Sequence, residues 1–525
     1  MVSKKAPWLI LFLILVLAAG LRLFALAQYP PGLNYDEVSH AYNAYSLLQT
    51  GRDQWGTAFP FPNFRAYGDY PTVLNLYLTV PAVALFGPTD FAARLPHAVA
   101  GILSVLVVYV LTRRWSGHKC LSLFTAFLFA VSPWTFFPSR AVFQSNWTVL
   151  LLTLALALYL SRRKFLSVLI FGLSLFAYHN TRIFVPLLLP FLLWPLRRHR
   201  RLLWAGLAVF LIAFGLLLNP QTRARSSWVG IVDSGAVAYL EQARTNTGLP
   251  PLLAKLVYNR PVYFISTVTR NYLGYFSPQF LFFSGGTQYQ YSLPGFGLLN
   301  PALLPFFYLG IFVLAVKRRW LVLLWLALAP LPAAVTRDQF AVIRSTTMLP
   351  VVFLVTAFGL MVVSSRLQRI WHWLFWGAFL LLFCSQNYFS AYFSSYPRQY
   401  ARDWQFGYRE MVSFVKQRSA DYDRIIITKY YAEPHEYLLW YWPWSPRAYQ
   451  SDPRLSWDYH SDWYWVNRFA KFEFVNDWEM RGYVEKIDPQ EHVLIVSSPQ
   501  TPTLGLTRAV INFPDGQPAF IIKDL

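Results

Sequence analysis

The sequence predicts a polytopic α-helical membrane protein with a small α/β domain outside the bilayer at its C-terminal end, and three observations predict it. The 525 residues are 55% hydrophobic with a mean hydropathy of +0.34, a composition that fits many spans and not a soluble protein with a large core. Apolar stretches alternate with short basic clusters. Acid is segregated: of 25 Asp and Glu, eight fall in residues 1–388 (Asp36, Glu37, Asp53, Asp69, Asp90, Asp233, Glu241 and Asp338), and the other 17 follow.

Lys4 and Lys5 precede a first apolar segment, 7–27, with no small-residue cleavage site after it. It reads as an uncleaved signal anchor with a cytoplasmic N-terminus. Further basic clusters stand at Arg113/Arg114 with Lys119, Arg162 to Lys164, Arg197 to Arg201, Lys317 to Arg319 and Arg366/Arg369. With each in the cytoplasm, every interval between them must cross the membrane an even number of times. Segments 7–27, 95–112, 121–137, 146–161, 165–178, 183–196, 202–218, 301–316, 320–335, 345–363 and 371–388 comply, giving about eleven crossings of a cell membrane and an outer C-terminus. The stretch 70–87, broken by Pro71, Pro81 and Gly87, is left as an interfacial or re-entrant piece. A net charge of +21 is then explained by topology and membrane lipids, not by nucleic acid. Cys120 and Cys384, in different apolar segments, offer neither a disulfide framework nor a cysteine metal site.

Two domains follow: a transmembrane region 1–388 with outer loops 28–94 and 219–300, and an extracytoplasmic α/β domain 389–525. The second loop, with Tyr272 to Pro278 and Ser284 to Thr287, suits a segment packed on the outer surface, static or able to move over a substrate. In the tail, Ile425 to Ile427 and Val493 to Val496 read as buried strands and Glu410 to Arg418 as part of a helix. Its tryptophans and tyrosines between Trp440 and Trp465 suit an interfacial aromatic belt or, alternatively, stacking on sugar rings.

The segment Asn34-Tyr35-Asp36-Glu37 puts two carboxylates beside the membrane, where acid is costly and therefore a functional candidate. Asn34 and Glu37 have capping-box spacing, and Val38, Tyr42, Tyr45 and Leu48 give one apolar face suited to an interface. The plain reading makes Glu37 a cap and Asp36 a surface acid compensating the helix dipole. The functional reading has the helix present Asp36 to a substrate; neighbours on a helix diverge, so one carboxylate of the pair aims at the reacting atom and the other orients it.

Several chemistries find no support in the sequence. It lacks a phosphate-binding glycine loop, a dinucleotide fingerprint, a His-Glu-x-x-His helix and a glycine-flanked nucleophile elbow. Glu433-Pro434-His435-Glu436 reads as a polar turn, with metal ligation the alternative. Basic residues recur at the outer ends of segments: Arg94, Arg140, Arg182 in Tyr178 to Arg182 with His179, Arg337 and Arg344. Each suits a lipid headgroup singly; together with outer carboxylates they suit transfer of a group from a lipid phosphate, where a base takes the acceptor proton and cations hold the departing phosphate. If the sugar is displaced directly by the acceptor hydroxyl, one base suffices and the anomeric centre inverts.

Asp36-Glu37 after the first segment, Gly68-Asp69-Tyr70-Pro71, Phe91 to Pro96, Ser132-Pro133-Trp134, Ser139-Arg140 and Tyr178 to Arg182 resemble the GT-C integral-membrane glycosyltransferases. The branch they are most similar to is family-39-like, which includes protein O-mannosyltransferases and aminoarabinose transferases. The resemblance implies a polyprenyl-phosphate-linked monosaccharide donor, a protein, lipid or polysaccharide acceptor on the outer face, and Asp36 as general base with Glu37 beside it and Asp69 as a second candidate. It implies no cofactor; a divalent metal on the carboxylate pair is conceivable but not favoured by it. Where such enzymes often carry a lysine after the Gly-Asp stretch, this chain has Tyr70-Pro71-Thr72, so the donor phosphate falls to Arg94, Arg140, His179, Arg182 or Arg344. The competing class is non-enzymatic: a lipid-glycan transporter, or a membrane scaffold whose outer domain binds glycan or a partner. The scarcity of ionisable residues within the apolar segments counts against the transporter.

Overall fold

The computed structural model describes residues 6–222, 229–364, 377, 381, 385–461, 463–488, 490–501 and 503–525. The chain separates into two compact units, one of Met1–Arg22, Val99–Ser139 and Phe143–Tyr388, the other of Leu23–Ala98, Arg140–Val142 and Phe389–Leu525. The first long loop and the tail therefore fold as one body.

The first unit is helical. Among the described residues three helices are long and apolar enough to cross a membrane: α1 (Ala6–Leu23), α4 (Asp90–Ser116) and Arg200–Leu218. The pair Lys119–Val131 and Pro133–Arg140 passes the same test together but is bent by 66°. The other expected crossings up to residue 363 coincide with apolar helices of 10–17 residues, such as Ser145–Leu160, Thr181–Leu196 and Val351–Val363. Pro186 and Pro190 lie inside the continuous helix Thr181–Leu193, each without a backbone donor. Lys4, Lys5, Arg366, Arg369, Cys384 and most of the expected segment 371–388 lie outside the described residues. The region 219–300 contains the helices Ser234–Asn246, Pro251–Val257 and Arg260–Gly274. Asp233 and Asn259 cap two of them through their side chains, a signal the aromatic and glycine content masked.

In the second unit, α2 (Tyr35–Thr50) begins at the expected capping box. The Asn34 side chain accepts from the Glu37 amide at 3.0 Å, and the Asn34 amide donates to the Glu37 carboxylate at 3.1 Å. Gly51, at φ +67°, closes it. The stretch 70–87 forms α3 (Val73–Phe86), which packs against α2. A helix lying in an interface would bury one face; instead every residue from Glu37 to Ala44 is buried. The reason is tertiary: helix Pro434–Tyr441 of the tail packs on α2 as well.

The tail folds around one seven-stranded mixed sheet of order β2-β3-β4-β1-β5-β7-β6. Its strands are β1 (Arg424–Thr428), β2 (Ser456–His460), β3 (Trp463–Phe469), β4 (Phe472–Val475), β5 (Val493–Ser497), β6 (Leu506–Asn512) and β7 (Pro518–Asp524). Central β1 runs parallel to β4 and β5 and is buried almost throughout, as the run of isoleucines requires. Much of the aromatic content is core, which neither the belt nor the sugar reading anticipated: Trp404 and Trp440 are fully buried, and Trp444 meets Phe469 and Phe472 edge-on. Glu433 to Glu436, expected as a polar turn, opens the buried helix Pro434–Tyr441, because Pro434 fits the first helical position.

Candidate functional site

The two carboxylates of α2 part company as helix geometry demands. Glu37 is fully buried and each of its oxygens is engaged. Oε1 accepts from Arg94 Nε at 3.0 Å and the Val142 amide at 2.9 Å, while Oε2 accepts from Arg94 Nη2 at 2.9 Å and from the cap. The Arg94 guanidinium also donates to the carbonyls of Leu26 (3.2 Å), Pro30 (2.9 Å) and Gly32. A carboxylate and a guanidinium saturated in this way form a structural clamp. The same segment requires glycine at 32: a Cβ there would fall 2.3 Å from the Trp404 carbonyl oxygen.

Asp36 is half-buried. Its Oδ1 accepts a hydrogen bond from the Tyr67 hydroxyl, and burial, with the Asp36 charge next, pushes that phenol well above its ordinary 10. Tyr67 therefore stays protonated and donates. The Asp36 charge, followed by burial, raises Tyr35 in the same direction. Asp69 is also half-buried, accepts from the Tyr70 amide at 2.8 Å, and adds to the upward push on both phenols. Asp36, Glu37, Asp69 and Arg94 thus fall in one unit.

Arg140 belongs there too, fully buried. It donates to the carbonyls of Phe24 (2.7 Å) and Tyr29 (3.1 Å) and to the Tyr392 hydroxyl (3.1 Å). It satisfies carbonyls of the turn 24–29.

His179, Arg182 and Arg344 gather in the other unit. A cavity of about 180 Å³ is lined by Tyr178, His179, Asn180, Thr222, Thr336 and Arg344 among others. Arg182 is buried behind it and donates to His179 Nδ1 (3.0 Å), Thr222 Oγ1 (2.8 Å) and the Leu175 carbonyl (3.1 Å). Arginine is always a donor, so His179 Nδ1 accepts and the imidazole proton sits on Nε2. Arg344 keeps 20% of its side chain exposed and pairs with Asp338 at 2.7 Å, which is itself 33% exposed. This corner offers donors to an anion.

Tyr67 was not singled out in the sequence, where nothing distinguishes it from the many other aromatics; Trp463 stood among the tail aromatics and Asn180 within Tyr178 to Arg182, neither with a role of its own. Among the described residues no group of three His, Cys, Asp or Glu side chains is placed to hold a metal ion. Glu37, spent on Arg94, offers no shared cation site with Asp36.

Residues 71–218 match the sequence profile of the dolichyl-phosphate-mannose-protein mannosyltransferase family. The fold is similar to that of the oligosaccharyltransferase AglB from Archaeoglobus fulgidus, solved with an inhibitory peptide and a dolichol-phosphate. The TM-score is 0.50 at 16% identity, over 83% of this chain and 64% of that one. The chain has the GT-C fold. ArnT from Cupriavidus metallidurans, solved with undecaprenyl phosphate, aligns over 99% of this chain and 98% of its own at 12% identity and a TM-score of 0.43. No curated protein sequence matches the chain. The matched stretch of this GT-C chain takes in Arg94, Arg140, His179 and Arg182, while Asp36, Glu37 and Asp69 precede it.

Proposed function

We propose that the chain is a membrane glycosyltransferase that moves a monosaccharide from a polyprenyl phosphate to an acceptor on the outer face, with inversion and with Asp36 as general base. The observation that carries this reading is the divergence of the two neighbouring acids. Glu37 is consumed by Arg94 and the cap, whereas Asp36 keeps partial exposure and accepts from the Tyr67 hydroxyl. The profile match to enzymes that use a polyprenyl-phosphate sugar supports the donor class.

In this mechanism an acceptor hydroxyl loses its proton to Asp36 as its oxygen bonds to the anomeric carbon. The bond from that carbon to the phosphate oxygen breaks, and the polyprenyl phosphate leaves with the electron pair. Within the other unit, Arg344 and the Nε2–H of His179 offer donors suited to a phosphate, and Arg182 orients the imidazole. Arg94 and Arg140 serve the architecture.

The test is release of polyprenyl phosphate by the purified full-length chain, given a panel of labelled undecaprenyl- and dolichyl-phosphate monosaccharides and a membrane extract as the acceptor source. Asp36→Asn is expected to lose about 10² to 10⁴ in rate with an unchanged melting profile. Wild-type activity in that variant removes Asp36 from the chemistry, and no turnover with any donor returns the chain to the non-enzymatic class.

A further inference from the structure

The C-terminal sheet reaches the catalytic carboxylate through one side chain. β3 begins at Trp463, whose indole stacks on the Tyr67 ring with centroids 4.6 Å apart and planes at 27°. The next residue fixes the same segment from the backbone: the Tyr464 amide donates to the Tyr67 carbonyl at 2.9 Å. Trp463 is itself held, because its Nε1–H donates to Glu433 Oε1. Glu433 is buried, and its other oxygen lies 3.2 Å from His435 Nδ1. Tyr35 meets the Tyr67 ring edge-on at 5.5 Å. The Tyr67 phenol is thus packed by two aromatic rings, and its hydroxyl ends on Asp36.

We infer that Trp463 and Tyr67 are positioning residues for the reaction, so that the C-terminal sheet completes the catalytic centre and does not merely adjoin it. This rests on the reading of Asp36 as the base. A phenol held rigidly as a donor fixes the orientation of the carboxylate toward the acceptor. It also stabilises the ionised form that must accept that proton. Without the indole, Tyr67 loses its stacking partner and the carboxylate its fixed rotamer. The titratable groups bearing on this corner are Asp36, Asp69, Tyr35 and Tyr67; Asp69, as a second acid, raises the value of a hydrogen bond that keeps Asp36 ionised.

The experiment measures kcat, donor KM and the pH dependence of turnover with the undecaprenyl-phosphate sugar that the wild-type chain uses. Tyr67→Phe keeps the ring and removes the donor; the acid limb of the profile should move up by about one pH unit with donor KM unchanged. Trp463→Phe keeps a stacking ring and should lower kcat severalfold, and Trp463→Ala by about 10- to 100-fold, again without a change in donor KM. The two phenylalanine variants decide the matter even if the alanine variant does not fold. Unchanged kcat and an unmoved acid limb in both, in a protein whose Asp36→Asn variant is dead, overturn this inference alone. An active Asp36→Asn variant overturns the base assignment on which it rests.

Discussion

Arg94 and Arg344 both stand beside candidate site residues, yet the two corners use them in opposite ways. Arg94 has no exposed surface and divides its donors among one carboxylate and three carbonyls. Arg344 borders a cavity and has one acid partner that is itself partly exposed. A guanidinium whose donors are all taken inside the fold has none left for a substrate, whereas one that faces a cavity can exchange its partner. Saturation, more than position in the sequence, separates a structural arginine from a ligand-binding one.

The largest effect expected is on the clamp. Arg94→Ala leaves Glu37 charged, buried and unpaired, and should cost about 3–5 kcal/mol, read as a large fall in the thermal midpoint of the detergent-solubilised chain. Weaker donor binding with an unchanged midpoint would break the contrast.

A second buried acid in the same unit sharpens it. Among the described residues Glu436 has no arginine like that of Glu37; burial, opposed first by neighbouring His435 at 3.6 Å, raises its carboxyl from 4.5 to about 7. Between those values the unfolded chain has released a proton that the folded chain keeps. Stability should therefore fall as pH rises from 4.5 to about 7, with a slope approaching about 1.4 kcal/mol per pH unit from this group. Glu436→Gln should flatten the curve in chemical denaturation across that window, and an unaltered slope would show that the acid ionises freely.

The smallest effect concerns Arg344. Arg344→Ala should weaken binding of an undecaprenyl-phosphate sugar by about 10- to 100-fold, the worth of one or two charge-assisted hydrogen bonds, with stability changed by less than about 1 kcal/mol. Unchanged donor affinity in a direct binding measurement would move the phosphate elsewhere.

Much of the fold could be read along the chain, because its signals are local. The Asn34–Glu37 capping box, the apolar helices and the isoleucine strand at 425–427 follow from short-range hydrogen bonding and periodicity. The nearly complete burial of α2 could not be read, since it depends on helix Pro434–Tyr441, about 400 residues away. The helices within 219–300 were hidden for a different reason: glycine and aromatic residues suggested a loop, while the caps at Asp233 and Asn259 are single residues. Glu433 to Glu436 looked like a polar turn because four polar or proline residues resemble one; only the packing of the tail turned them inward.

The candidate acids and most of the basic residues were visible as exceptions in an apolar sequence, since ionisable groups near a bilayer stand out by their cost. The order of residues could not say which of them is spent. That Glu37 is locked to Arg94 while Asp36 leans on Tyr67, and that Arg140 binds the turn 24–29 while Arg344 lines a cavity, are decided by which carbonyls, phenols and carboxylates the folded chain brings within about 3 Å. Composition and spacing act along the chain and settle the class of structure. Partner choice acts across hundreds of residues, and only the tertiary structure sets it.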